Sequence, residues 1–189
     1  MRVFPDPDFP AAERNSTVLA EVKVYSLGLD RTNRMPVVIL RERGGARVLP
    51  IWIGPSEAKA IATQLAKVPH TRPLTHDLTC SLLTGMGGTL LRVVVSRVEE
   101  STYFAELVVE KAGELVSIDA RPSDSIALAL RAGASILVEE GLLQAMAIEL
   151  PTPGEGDLDD PAQGSVMQAK ELKDHLRSLD PQDFGRFKL

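Results

Sequence analysis

A nine-residue pattern occurs twice in the chain. Gly54-Pro55-Ser56-Glu57-Ala58-Lys59-Ala60-Ile61-Ala62 lies over Arg121-Pro122-Ser123-Asp124-Ser125-Ile126-Ala127-Leu128-Ala129 at an offset of 67 residues, from Pro55 to Pro122. Each copy reads as a helix start. Proline at the first helical position loses nothing, because its missing N–H would have no intrahelical partner there. The acid two places on, Glu57 or Asp124, sits in the first turn, where the helix dipole favours negative charge. Apolar, strand-like residues precede both copies, Leu49 to Ile53 and Val116 to Ala120. A shared strand-to-helix context predicts an internal duplication. Ile126, Ala129 and Leu130 share a face, with Ala127 and Leu128 beside them, so the second helix is expected to be buried until Gly133 stops it. Arg121 is a poor N-cap residue, so its guanidinium needs another explanation.

The intervening pattern supplies the units. Val18, Ala20, Val22 and Val24 alternate with polar residues as a half-buried strand does. Strands are also expected at Val37–Leu40 and Val48–Ile53, with Arg43-Gly44-Gly45-Ala46 as the hairpin turn between them. The first repeated helix is expected to reach Val68. A second helix runs from about His76 to Thr84. Leu90–Val98, Tyr103–Val109 and Leu115–Ala120 are the next strands, with Leu91, Val93 and Val95 expected on one face. Ser135–Val138 and a short helix over 139–146 follow. The expected class is α+β, with duplicated three-strand-plus-helix units, mostly antiparallel sheets and packed helices.

Composition sets the outer limits. Residues 1–15 hold three prolines and no periodicity and read as a flexible tail, leaving 16–147 as the domain. Residues 148–165 read as a disordered acidic linker, and 166–189 as a C-terminal helix with Met167, Leu172, Leu176 and Leu179 on its apolar side. No apolar run reaches membrane-spanning length and no signal core opens the chain, so a cytoplasmic location is expected. Cys80 is the only cysteine, which excludes an internal disulfide. The formal charge of −5 argues against electrostatic coating of nucleic acid but leaves room for one basic site.

Three groupings carry candidate chemistry. His76 and Asp77 could act as general base and partner or bind a divalent ion; alternatively Thr75 caps the helix and Asp77 only serves its dipole. Arg72 and Arg121 each precede a proline, and a guanidinium beside free helix N–H groups suits phosphate; alternatively each pairs with a nearby acid. Arg131 is the third phosphate-binding candidate. Glu57, Asp77 and Asp124 are candidate ligands for Mg²⁺ or Mn²⁺, although the dipole alone explains acids at helix starts. Trp52 reads as a packing residue and Cys80 as inert core. Phosphate-loop, dinucleotide, zinc-spacing and nucleophile-elbow motifs are absent, and no organic cofactor is expected.

Taken in order, Leu49-Pro50-Ile51-Trp52-Ile53-Gly54-Pro55-Ser56-Glu57-Ala58, Arg72-Pro73-Leu74-Thr75-His76-Asp77-Leu78 and Arg121-Pro122-Ser123-Asp124-Ser125-Ile126-Ala127-Leu128-Ala129-Leu130-Arg131 resemble the bifunctional nuclease domain family of bacteria and plants. The resemblance implies a compact α+β domain, a homodimer, and hydrolysis of phosphodiester bonds in RNA and DNA. It brings no catalytic set. The residue roles rest on the chemistry above: His76, Asp77 and Asp124 catalytic, in one cleft with Arg72 and Arg121. The competing expectation is a non-catalytic module that binds nucleic acid or protein through the same Arg-Pro helix starts.

Overall fold

A computed structural model describes residues 18–30 and 34–149. The expected tail, nearly all of the acidic linker and the C-terminal helix lie outside them. Strand β1 (Leu19–Leu29), β2 (Pro36–Glu42) and β3 (Arg47–Trp52) form a meander that leads into helix α1 (Pro55–Leu65). Helix α2 (Thr75–Gly85) follows. Then β4 (Gly88–Glu99), β5 (Thr102–Lys111) and β6 (Glu114–Ala120) form a second meander that leads into α3 (Pro122–Ala132). The chain continues with β7 (Ser135–Glu139), α4 (Glu140–Met146) and the short β8 (Ile148–Glu149).

Among the described residues all eight strands belong to one sheet, in the order β6-β5-β4-β7-β1-β2-β3-β8. The meanders lie on either side of β7, each with its first strand innermost. Among these described strands only the β4–β7 ladder is parallel; every other pair is antiparallel. The class is α+β with a repeated three-strand-plus-helix unit. The repeat is closest from the third strand onward. Further upstream the registers diverge, because residues 43–46 join β2 to β3 whereas Ala112 and Gly113 alone join β5 to β6. Both of those residues take positive φ, 53° and 83°, as a two-residue hairpin turn with right-handed strand twist requires.

Val38, Leu40, Leu49, Ile51, Val93, Val95, Leu107 and Val109 line the core face of the sheet and meet α1 and α3 there. Helix α3 is the centre. Pro122, Ser123 and every residue from Ser125 to Ala129 are buried, and each large apolar side chain so buried contributes about 1.5–3 kcal/mol. Gly133 ends the helix at φ 70°, a conformation that costs glycine nothing and other residues about 1 kcal/mol or more.

Two local expectations fail for physical reasons. Leu91 does not share a face with Val93 and Val95: a bulge between Leu90 and Arg92 shifts the alternation by one, leaving Leu91 exposed and Leu90 buried. Trp52, expected to pack, is instead 49% exposed on the face opposite the buried Ile51 and Ile53, and its Nε1–H donates to Asp30. Helix α1 also stops at Leu65, short of Val68, and β8 carries no strand signal strong enough to be read.

Candidate functional site

Helices α1 and α2 both run alongside α3 in the same sense. Contacts near their starts, Glu57 to Arg121 and His76 to Asp124, are matched by later ones, Gln64 to the Leu130 carbonyl and Cys80 to that of Leu128. The first turns of three helices therefore gather at one end of the molecule. The repeated helix starts and the His76 turn deliver their polar side chains to that place.

Arg121 stands at the middle. Its Nε donates to Asp124 Oδ2 at 2.7 Å, and its Nη2 pairs with Glu57 Oε1 at 2.9 Å. The unexplained arginine at the helix start is thus the link between the two repeated acids. Its guanidinium is held above its usual range, first by the Asp124 hydrogen bond. His76 Nε2 lies 3.2 Å from Asp124 Oδ1. Burial acts to raise the Asp124 pKa, but Arg121 and His76 together outweigh it, so the carboxyl stays below its ordinary range. Arg121 remains open to water, whereas His76 and Glu57 are largely covered. The result is a chain Glu57–Arg121–Asp124–His76 with a histidine at one end and an open guanidinium in the middle.

Asp77 turns away from this chain. Its Oδ2 accepts the Leu74 N–H at 2.8 Å, and its Oδ1 accepts from Arg131 Nε at 2.5 Å. The Leu74 hydrogen bond, then Arg131, hold its pKa below the ordinary carboxylate value. The Arg131 side chain is only 5% exposed and also donates to the carbonyls of Ala127 and Ala60. Leu74, not Thr75, is the N-cap of α2, and Pro73 lies ahead of the helix instead of at its first position. Thr63, Gln64, His70, Arg72, Asp77 and Arg131 help line a cleft of about 270 Å³ beside this pair. Arg72 has no partner among the described residues and so keeps all its donors free.

The single expected cleft is therefore two adjoining places. Glu57, His76, Arg121 and Asp124 meet at the start of α3. Arg72, Asp77 and Arg131 line the cleft beside α3, where the Arg131 side chain reaches back to the Ala127 carbonyl. His76 and Asp77 are neighbours in sequence, but successive helical positions point about 100° apart, so one faces each place. The expected metal set is divided by the same geometry: Asp77 faces Arg131 while Glu57 and Asp124 bracket Arg121. Among the described residues no three His, Cys, Asp or Glu side chains form a ligand cluster. Cys80 packs against the core, and burial raises its thiol pKa. Sequence reading missed His70, Thr63 and Gln64 in the cleft, since they lie in no motif and are joined only by the folding of α1 against the loop before α2.

Comparison with known proteins adds a second line. The sequence model of the Bifunctional nuclease domain matches residues 38–151. An uncharacterised protein of Mycobacterium tuberculosis is 38% identical over 168 residues, covering 88% of this chain and 98% of that protein. Bifunctional nuclease 1 of Arabidopsis thaliana is 26% identical over 155 residues, 79% of this chain and 48% of the plant protein. Bifunctional nuclease 2 of the same plant is 29% identical over 135 residues, 69% of this chain and 41% of its own length.

Proposed function

The chain belongs to the bifunctional nuclease domain family, and from that premise we propose that it hydrolyses phosphodiester bonds in RNA and DNA at the shared start of its three helices. The observation that carries this reading is the approach of His76 Nε2 to Asp124 Oδ1 across two helices. With Nε2–H donating to Asp124, the imidazole is held in one orientation and Nδ1 keeps its lone pair for a water molecule. Water supplies the attacking oxygen and gives its proton to Nδ1. The P–O bond to one nucleoside breaks, and the departing alkoxide takes a proton from solvent. Arg121 has N–H groups left over from its two acids, and its open side can stabilise charge that builds on the phosphoryl oxygens.

Arg72 and Arg131 have a different role in this scheme. The guanidinium of Arg72 is free and the cleft beside it is polar, so it suits a phosphate of the substrate strand next to the one being cut. Asp77 is then a positioning residue, holding Arg131 and the start of α2. Mg²⁺ or Mn²⁺ enters none of these steps, because the carboxylates expected to hold it face arginines and not each other. The protein is further proposed to work as a homodimer in the cytoplasm. No helix among the described residues is long and apolar enough to cross a membrane.

One observation favours the alternative of a non-catalytic binding module: both carboxylates beside Arg121 are already matched to it, as in a purely structural ion chain. The test is cleavage of labelled single-stranded RNA and DNA by purified protein, with and without each divalent ion. Cleavage that co-purifies with the wild type and disappears in a folded His76→Ala variant supports the nuclease. Binding without cleavage in every condition assigns the site to the module instead.

A further inference from the structure

Helix α2 buries none of its eleven residues. Leu74, Leu78, Leu82 and Met86 recur every fourth position along it and are 37–60% exposed. Strand β6 at the sheet edge is equally bare, with Val116 and Ile118 at 42% and 41%. The two features are continuous. Leu83 of α2 lies over Gly88, next to Val109, and Val109 is the cross-strand partner of Val116. Val116 and Ile118 pair with the buried Val109 and Leu107, so they extend the core face of the sheet beyond the cover of the helices.

We propose that this face is the contact between two copies of the chain, whose β6 strands pair antiparallel about Ser117 to continue the sheet. The proposal rests on the homodimer put forward above and gives it a surface. A register centred on Ser117 uses all seven residues of β6 and sets Val116 opposite the other copy's Ile118 twice. Apolar cross-strand pairs of this kind stabilise a ladder. The pairing also satisfies the edge N–H and C=O groups, which an unpaired strand leaves open to aggregation. The two α2 stripes then flank the seam on the same side of the joined sheet.

Charge and area agree with a second copy. No residue from Leu78 to Leu91 is charged, and in this register the two acids of β6, Glu114 and Asp119, stand opposite Ala120 and Leu115 of the other copy and not opposite each other. The same lack of cations leaves nothing to hold a nucleic-acid backbone there. A stable pair needs roughly 800 Å² from each partner, an area on the order of what the apolar stripe of an eleven-residue helix and a seven-residue strand edge offer together. The chain's own C-terminal segment, read from its sequence as a helix, offers no row of strand donors and acceptors for the edge.

The test uses the full chain. Light scattering at micromolar concentration is expected to give twice the 20.5 kDa chain mass. Ile118→Lys and Leu82→Glu, both at exposed positions and checked for unchanged circular dichroism, are each expected to raise the dimer dissociation constant about 100-fold, since an unpaired charge covered by an apolar contact opposes association. Ser117→Cys in a Cys80→Ala background is expected to give a covalent dimer on oxidation. A monomeric wild type overturns the interface and the homodimer together. A dimer that both charged variants leave intact, and that Ser117→Cys does not cross-link, overturns this interface alone.

Discussion

His76 and Asp124 stand 48 positions apart in the chain, yet their side chains meet at 3.2 Å. Neither the His76 turn nor the repeated proline-serine-acid start has the pair by itself; the side-by-side packing of α2 and α3 makes it. If the pair is the reaction centre, His76→Ala and Asp124→Asn should each lower cleavage by about 10²-fold or more, the range for removing a positioned acid–base group. Single-turnover assays on both variants, with folding checked by circular dichroism, decide the matter. Undiminished cleavage by either folded variant would remove the dyad from the mechanism.

Arg72 should behave differently. It has no protein partner to lose among the described residues, so Arg72→Ala should leave stability nearly unchanged. A lost charge-assisted contact to phosphate is worth about 1.5–3 kcal/mol, or roughly ten- to a hundredfold in affinity. The expected result is a raised KM with kcat preserved. A fall in kcat at unchanged KM would place Arg72 at the reacting phosphate.

The Asp77–Arg131 pair makes a prediction about acid. The folded-state pKa of Asp77 lies below its ordinary value of 3.8. The native state therefore binds fewer protons than the unfolded chain, and the stability the group contributes is present above pH 3.8 and lost as pH falls through the depressed folded value. Asp77→Asn should be less stable near neutrality and should lose stability less steeply below about pH 4. Leaving the nearly buried Arg131 without its carboxylate is expected to cost about 2–4 kcal/mol, reduced from the fully buried case because Asp77 is partly open to water. Urea unfolding across a pH series measures both effects; an acid slope identical to the wild type would refute the linkage.

Ser125 offers a test of the packing in α3. Its hydroxyl is fully buried and has no hydrogen-bond partner among the described residues. A buried polar group left unpaired is destabilising by about 1–3 kcal/mol. Ser125→Ala should therefore be neutral or raise stability by up to about 1 kcal/mol, where a serine with a real partner would lose a similar amount. A drop in thermal midpoint of several degrees would show that the hydroxyl has a partner after all.

The strands and both repeated helices were legible because their signals are local: alternation, proline at the helix start, glycine at the stop. The bulge at Leu91 was not, since an extra residue in a strand changes no composition and only shifts which side chains face in. Arg121 was recognisable as out of place for a cap, and its two partners, Glu57 and Asp124, were the acids already singled out by the repeat. What the sequence could not supply was the angle between neighbouring side chains on α2. His76 and Asp77 read as one unit in the chain, and the helix turns them to different sides, His76 to Asp124 and Asp77 to Arg131. His70 carries no sequence signal for a related reason: the cleft it shares with Arg131 exists only once three separate segments have packed.

Strand β7 sits between β1 and β4, and Leu19 pairs with Glu139 across it. Each meander can zip up from its own short hairpins as it emerges from the ribosome. The seam between them cannot close until the last of these strands has been made, because β7 is the piece that joins them. Closing so long a loop is entropically slow compared with hairpin formation. Until then β1 and β4 each present a bare apolar edge. The nascent chain is thus exposed to mispairing until Ser135–Glu139 has been made, and a protein truncated before Ser135 should accumulate as aggregate.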